Sequence, residues 1–98
     1  GTGATATYDV RGTWDYVFRT PNGNIWDEGT ITFKGSPTRG TFVQVNIYDL
    51  EYEGAYTVRD EQLTIEGPET WEGAFLDENE IVGTWEGGGD RGTWVATR

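Results

Sequence analysis

The side chains of this chain that can do chemistry are carboxylates and phenols: seventeen Asp and Glu and five Tyr, with no His, Cys or Met. Lacking His and Cys, it has no ordinary general base near neutral pH, no Ser-His-Asp or Cys-His nucleophile, and no thiolate to hold zinc. The His, Cys and Met ligands of haem iron are missing too, which leaves tyrosine as the one conceivable axial ligand. Disulfides are impossible, and the redox compartment cannot be read from cysteine usage. No cofactor is expected.

Acid and base work would fall to neighbouring carboxylates, Glu51/Glu53 and Asp77/Glu78/Glu80. The first pair alternates with Tyr52 and belongs to the outer face of a strand, while the second reads as a turn. Catalytic tuning needs desolvation, and neither position supplies it. The oxygens of Asp77 to Glu80 suit Ca²⁺ in kind, yet they lack the loop spacing of known calcium sites. A non-enzyme is expected. A binding site is a different matter: Tyr16, Gln44, Asn46, Tyr52 and Tyr56 are polar handles among the rings of Trp14, Phe33, Trp71, Trp85 and Trp94. A few convergent polar groups in an aromatic lining make a small-molecule pocket, and the same ten residues can equally be a filled core whose hydroxyls reach the rim.

Positioning these residues is a matter for strands. No window carries apolar residues at helical spacing, and fifteen Gly would penalise any helix. Alternation of period two dominates instead. In the first strand, Val10 to Arg19, the residues Val10, Gly12, Trp14, Tyr16 and Phe18 share the face that turns inward. Pro21-Asn-Gly-Asn24 is a hairpin signal, because Asn-Gly supplies positive φ readily. The second strand, Ile25 to Lys34, turns Ile25, Gly29, Ile31 and Phe33 inward and leaves Trp26 outward unless a bulge shifts the register.

The strand Gly40 to Tyr48 has two possible phases: either Gln44 and Asn46 point inward with Phe42, or the strand is bulged, and Gly40 to Arg59 can also be one long bent strand. Leu50 to Arg59 turns Leu50, Tyr52, Gly54, Tyr56 and Val58 inward. Leu63 to Glu66, Thr70 to Leu76, Ile81 to Glu86 and Arg91 to Arg98 complete eight strands joined by short turns. Such a meander exposes two sheet edges unless it closes. The expected fold is therefore all-β, an eight-stranded antiparallel up-and-down β-barrel with first and last strands paired, a two-sheet β-sandwich being the alternative.

Glycine followed two residues later by a ring recurs along the chain, at Gly12/Trp14, Gly40/Phe42, Gly54/Tyr56, Gly73/Phe75, Gly83/Trp85 and Gly92/Trp94. Both members fall on one face, so successive strands offer a gap and a ring. Glycine inside a strand costs conformational entropy, and its repetition implies sharp coiling with room for a neighbouring ring. Eleven rings fall in the inward phase: the eight ring residues among the pocket candidates together with Phe18, Phe42 and Phe75 make up nearly all of a small barrel's interior.

Gly12-Thr-Trp14, preceded by an arm and followed by a meander, resembles the G-x-W opening of the lipocalin and calycin barrels. The closing Trp94-Val-Ala-Thr-Arg98 is similar to the last strand of avidins and of short bacterial lipocalin-like domains. The lipocalin resemblance implies that Arg98 stacks on Trp14 in a cation–π contact, and that the barrel binds a small apolar or aromatic ligand. The chain is shorter than a typical lipocalin, and avidin's biotin-contacting residues are not recognisable in it. The alternative function is a protein-interaction or inhibitor domain with a filled core that uses its acidic outer face, outward Trp26 and the arm, a plan that resembles small bacterial protease inhibitors with a barrel and an N-terminal segment.

The organisation expected is a flexible arm, residues 1–9, and a single barrel domain, residues 10–98. A formal net charge of −10 repels phosphate, so nucleic acid and anionic membrane are excluded as partners, while a basic protein fits. Ordinary solubility and adaptation to salt explain the same acidity. No apolar run approaches the roughly 18 residues of a membrane-spanning helix. The small-residue stretch Gly1 to Thr7 is similar to a linker left by signal or lipoprotein processing, which points to a secreted or periplasmic protein, lipoprotein-anchored or free, or to one module of a longer chain.

Overall fold

The computed structural model describes residues 5–98. Eight strands follow one another in order: β1 (Gly12–Arg19), β2 (Ile25–Gly35), β3 (Arg39–Asn46), β4 (Glu51–Arg59), β5 (Gln62–Glu66), β6 (Thr70–Asp77), β7 (Glu80–Gly87) and β8 (Asp90–Thr97). Every strand pairs antiparallel with its neighbours, and β8 pairs back onto β1 from Asp15↔Thr97 to Arg19↔Thr93, which closes the sheet into a barrel. Closure satisfies the edge groups that a sandwich would leave at its margins.

The spacing of glycine and ring acquires its meaning in the register. Gly40-Thr-Phe42 lies antiparallel to Gly54-Ala-Tyr56 so that Gly40 faces Tyr56 and Phe42 faces Gly54. Gly83-Thr-Trp85 and Gly92-Thr-Trp94 repeat the exchange, with Gly83 opposite Trp94 and Trp85 opposite Gly92. The Tyr56, Phe42 and Trp85 rings thus fill the gaps at Gly40, Gly54 and Gly92, while the Trp94 ring reaches past Gly83 to the gap at Gly73 on β6. Ten of the eleven inward rings are buried, Tyr52 being half-buried, and Val10, Ile31, Val58, Leu63, Ile65, Ile81 and Ala96 fill the remaining core. Each ring removes on the order of 150–250 Å² from water, so few apolar residues suffice.

Three expectations of facing change. Ile25 and Leu50, in the inward phase by alternation, are half-exposed, because they stand where their strands leave the barrel rim. β3 ends at Asn46 rather than Tyr48: the Asn46 carboxamide oxygen accepts hydrogen bonds from the backbone N–H groups of Tyr48 and Leu50, and Asp49 takes a φ of 60° to make the turn. This settles the phase of β3, with Gln44 and Asn46 both buried, and separates β3 from β4. Trp26 is displaced by a bulge, for Phe18 pairs with Asp27 and Arg19 with Ile25, leaving Trp26 without an opposite residue.

The turns divide between two ends. At one end lie the β2–β3, β4–β5 and β6–β7 turns with Arg98 and the described part of the arm. Residues 1–4 of the arm lie outside the described residues, and the remainder docks on this end: Thr7 N–H donates to the Asp60 carbonyl at 2.9 Å, Asp60 N–H to the Thr5 carbonyl at 2.6 Å, and the Tyr8 ring sits 5.3 Å from Phe75. Arg98 lies over the Trp14 ring, 4.1 Å from its centroid, and donates to the carbonyls of Asp9, Arg11 and Glu78. Trp14 Nε1 donates to the Val10 carbonyl. This is the closed end. The β1–β2, β3–β4, β5–β6 and β7–β8 turns surround the other, open mouth.

Candidate functional site

The ten candidate residues do not converge on one pocket, because the barrel distributes them along its axis. Trp14 belongs to the closed end beneath Arg98. Phe33 packs against Phe42 and edge-on against Tyr56, and the Tyr56 hydroxyl donates to the Ser36 carbonyl in the β2–β3 turn. Burial raises the Tyr56 hydroxyl above the ordinary phenol value. Trp94 spans the wall between β6 and β7, its Nε1 shared between the carbonyls of Glu72 and Thr84. Asn46 is occupied with its turn. Tyr16, Gln44, Trp71 and Trp85 are brought together toward the open mouth, with half-buried Tyr52 opposite Gln44 in register.

Rings at the mouth form a continuous series. Phe18 stacks on Trp85 with centroids 5.1 Å apart and planes inclined by 8°, and Trp26 covers the other end of the series at 5.6 Å and 23° from Trp85. Trp71 meets Phe18 edge-on at 4.2 Å and Tyr16 at 5.4 Å. Trp85 is pinned through Nε1 to the Arg19 carbonyl on β1, so the β8–β1 closure also fixes this ring. Half of the Trp26 surface remains open to solvent.

Beside the rings runs a chain of polar groups. The Tyr16 hydroxyl donates to Asp27 Oδ2 at 3.1 Å, and Gln44 Nε2 donates to the same hydroxyl at 3.0 Å. The direction of this chain follows from its end: the carboxylate only accepts, so the phenol must donate to it and the amide must donate to the phenol. Gln44 Oε1 is thereby left over, buried and without a partner. Glu69, in the β5–β6 turn, likewise buries Oε2 without a partner. Burial raises the Glu69 carboxyl above the usual carboxylate range, and the charge of Asp27 raises it further. Burial also raises the Tyr16 hydroxyl, Gln44's hydrogen bond lowering it and Asp27 adding to the rise. Unsatisfied buried acceptors are costly and call for an explanation.

Alternation pointed to Gln44 and Tyr16 but not to Asp27 or Glu69. Asp27 occupies the inward phase of β2, two residues before Gly29, and that phase was the available signal; Glu69 sits in a turn and carries none. The sequence also gave no sign of a groove of about 520 Å³ on the outer wall of β6, β7 and β8, where Thr70, Glu72, Thr84, Glu86, Arg91 and Thr93 lie beneath Pro21 and the edge of Trp85. Asp77 to Glu80 is a hairpin turn in which Asp77 Oδ1 accepts from Asn79 N–H.

No protein-family model matches the chain, and no curated protein matches it. Among solved structures it is similar to a redesigned β-barrel, with a TM-score of 0.72 at 13% identity over 96% of this chain and 98% of that one. It is also similar to a de novo designed fluorescence-activating β-barrel, with a TM-score of 0.64 at 19% identity over 92% and 94% of the two chains. Fold topology and these likenesses agree: the chain is a small, closed, eight-stranded antiparallel β-barrel.

Proposed function

We propose that this is a lipocalin-like binding protein that takes a small planar or apolar molecule at the open mouth, against the half-exposed Trp26 ring that caps the Trp85 and Phe18 stack. One observation carries the reading: a buried Gln44 carbonyl oxygen without a partner lies beside an aromatic series whose outermost ring is half-exposed. Ring faces supply apolar contact to a flat guest, and the unsatisfied acceptor supplies orientation. A barrel of similar fold is fluorescence-activating, which supports the architecture as a host for a small aromatic molecule.

Quenching of tryptophan emission during titration with a panel of planar aromatic compounds tests this reading. Saturable quenching that weakens on Trp26→Ala supports it. Quenching that is linear and unaffected by Trp26→Ala contradicts it.

A second reading rests on a different observation: Ile47, Tyr48 and Leu50 of the β3–β4 turn are more than half-exposed at the same rim, Tyr48 at 75%. Large apolar side chains in a turn make an anchor for a partner protein. Under this reading Tyr48→Ala abolishes partner capture and leaves aromatic-compound binding intact.

A further inference from the structure

We propose that the open mouth selects an organic cation: a planar aromatic molecule carrying a primary ammonium, held by Asp27, Glu69 and Gln44 with its ring against the half-exposed Trp26. The inference rests on the mouth-binding reading and adds to it the charge of the guest.

The argument is an inventory of donors and acceptors. The Tyr16 hydroxyl spends its proton on Asp27, and the Gln44 amide donates to Tyr16. What remains without a partner beneath the mouth is Gln44 Oε1 and Glu69 Oε2, both buried, together with the Asp27 oxygen that Tyr16 does not engage. All three are acceptors, and two of the groups are carboxylates. A guest that satisfies them must bring donors and positive charge. An ammonium has three N–H donors and no acceptor, which matches the set.

Electrostatics point the same way. Among the described residues the ion pair is that of Asp9 and Arg11 at the closed end, so neither Asp27 nor Glu69 has a cationic partner. Arg19, the nearest arginine in sequence to the mouth rings, gives its Nη1 to the Gly23 carbonyl instead. Two uncompensated carboxylates, one of them already resisting ionisation through burial and its neighbour's charge, are relieved by a cation placed between them. The open face of Trp26 adds to the attraction, because a ring quadrupole favours a cation within about 6 Å. An anionic guest of the same shape meets repulsion from both carboxylates and from the net charge of −10.

The test is calorimetric titration of the full chain with three matched probes: 2-naphthylmethylamine, 2-naphthylmethanol and 2-naphthoate. The expected order is amine over alcohol by at least about tenfold, with the carboxylate weakest. Asp27→Asn and Glu69→Gln are titrated alongside, and in each the ratio of amine to alcohol affinity falls toward one. Alcohol binding equal to amine binding, or a ratio that survives both substitutions, overturns the cation inference while leaving mouth binding in place. Binding of none of the three overturns both.

Discussion

The Trp26 ring lies 5.6 Å from the Trp85 ring at an inclination of 23°, bringing a residue from the outward phase of β2 over the barrel mouth. The cause is the bulge that leaves Trp26 unpaired between the Phe18↔Asp27 and Arg19↔Ile25 pairs. Bulges re-aim side chains at barrel rims, and here the re-aimed ring extends the Phe18 and Trp85 stack toward solvent.

Because Trp26 is half-exposed and caps the stack without supporting the core beneath it, Trp26→Ala should cost about 1 kcal/mol or less in chemical denaturation. The same substitution should weaken binding of a planar aromatic probe by roughly five- to tenfold. A large loss of stability with unchanged binding would reverse these roles.

Close approach at Gly73 sets a second prediction. A Cβ there would stand 2.5 Å from Trp94 Cζ2 and 2.8 Å from the Val82 carbonyl oxygen. Gly73→Ala should therefore destabilise the barrel by about 2–4 kcal/mol. Trp94→Phe removes the nearer obstruction, although it also forfeits the Nε1 hydrogen bonds to Glu72 and Thr84. In a double-mutant cycle the pair should show a favourable coupling of about 1 kcal/mol, and strict additivity would mean that the ring does not occupy the glycine's gap.

Arg98 joins the chain terminus to the closed end through one ring and three carbonyls. Arg98→Ala should lower stability by about 1–2 kcal/mol. Arg98→Lys should recover less than half of that loss, since an ammonium keeps the charge but not the planar fork that reaches Asp9, Arg11 and Glu78 together. Equal stability of the Lys variant and the parent would reduce the contact to simple charge.

Glu69 supplies a pH dependence of unusual sign for a carboxylate. Its folded-state value is raised above the ordinary 4.5, burial being the larger cause and the charge of Asp27 the next. The folded state thus binds this proton more tightly than the unfolded one. The penalty is absent below 4.5, grows as pH rises through the interval up to the raised value, and is complete above it. Glu69→Gln should consequently stabilise the barrel at pH 7 by on the order of 0.5–1 kcal/mol, about 3–6 °C in Tm, the partial exposure of the group keeping the figure small. The advantage should shrink as pH falls toward 4.5, and melting curves of parent and variant across that range measure it.

Much of the barrel was legible because its information lies in period two. Gly40-Thr-Phe42 and Gly54-Ala-Tyr56 share a spacing, and antiparallel pairing turns that same-face spacing into reciprocal contacts between strands. The order and number of strands follow from the same alternation and from turns such as Pro21 to Asn24. The mouth was less legible. Alternation assigns a face but says nothing of where the barrel ends, so Ile25 and Leu50 share a phase with core residues and yet stand at the rim. Glu69 comes to Asp27 through a turn, and Trp26 through a bulge, neither of which has a period. The docking of Thr5 and Thr7 on Asp60 joins segments distant in sequence and left no pattern either.

Indole N–H resonances offer the most direct test of the central claim, that a guest binds at the open mouth. With ¹⁵N-labelled protein, titration with 2-naphthylmethylamine should shift the Nε1–H signals of Trp26 and Trp85 together, while that of Trp14, sealed beneath Arg98 at the opposite end, stays in place. A shift of Trp85 without Trp26 would put the guest in the outer groove, and a shift of Trp14, or of none, would contradict the account.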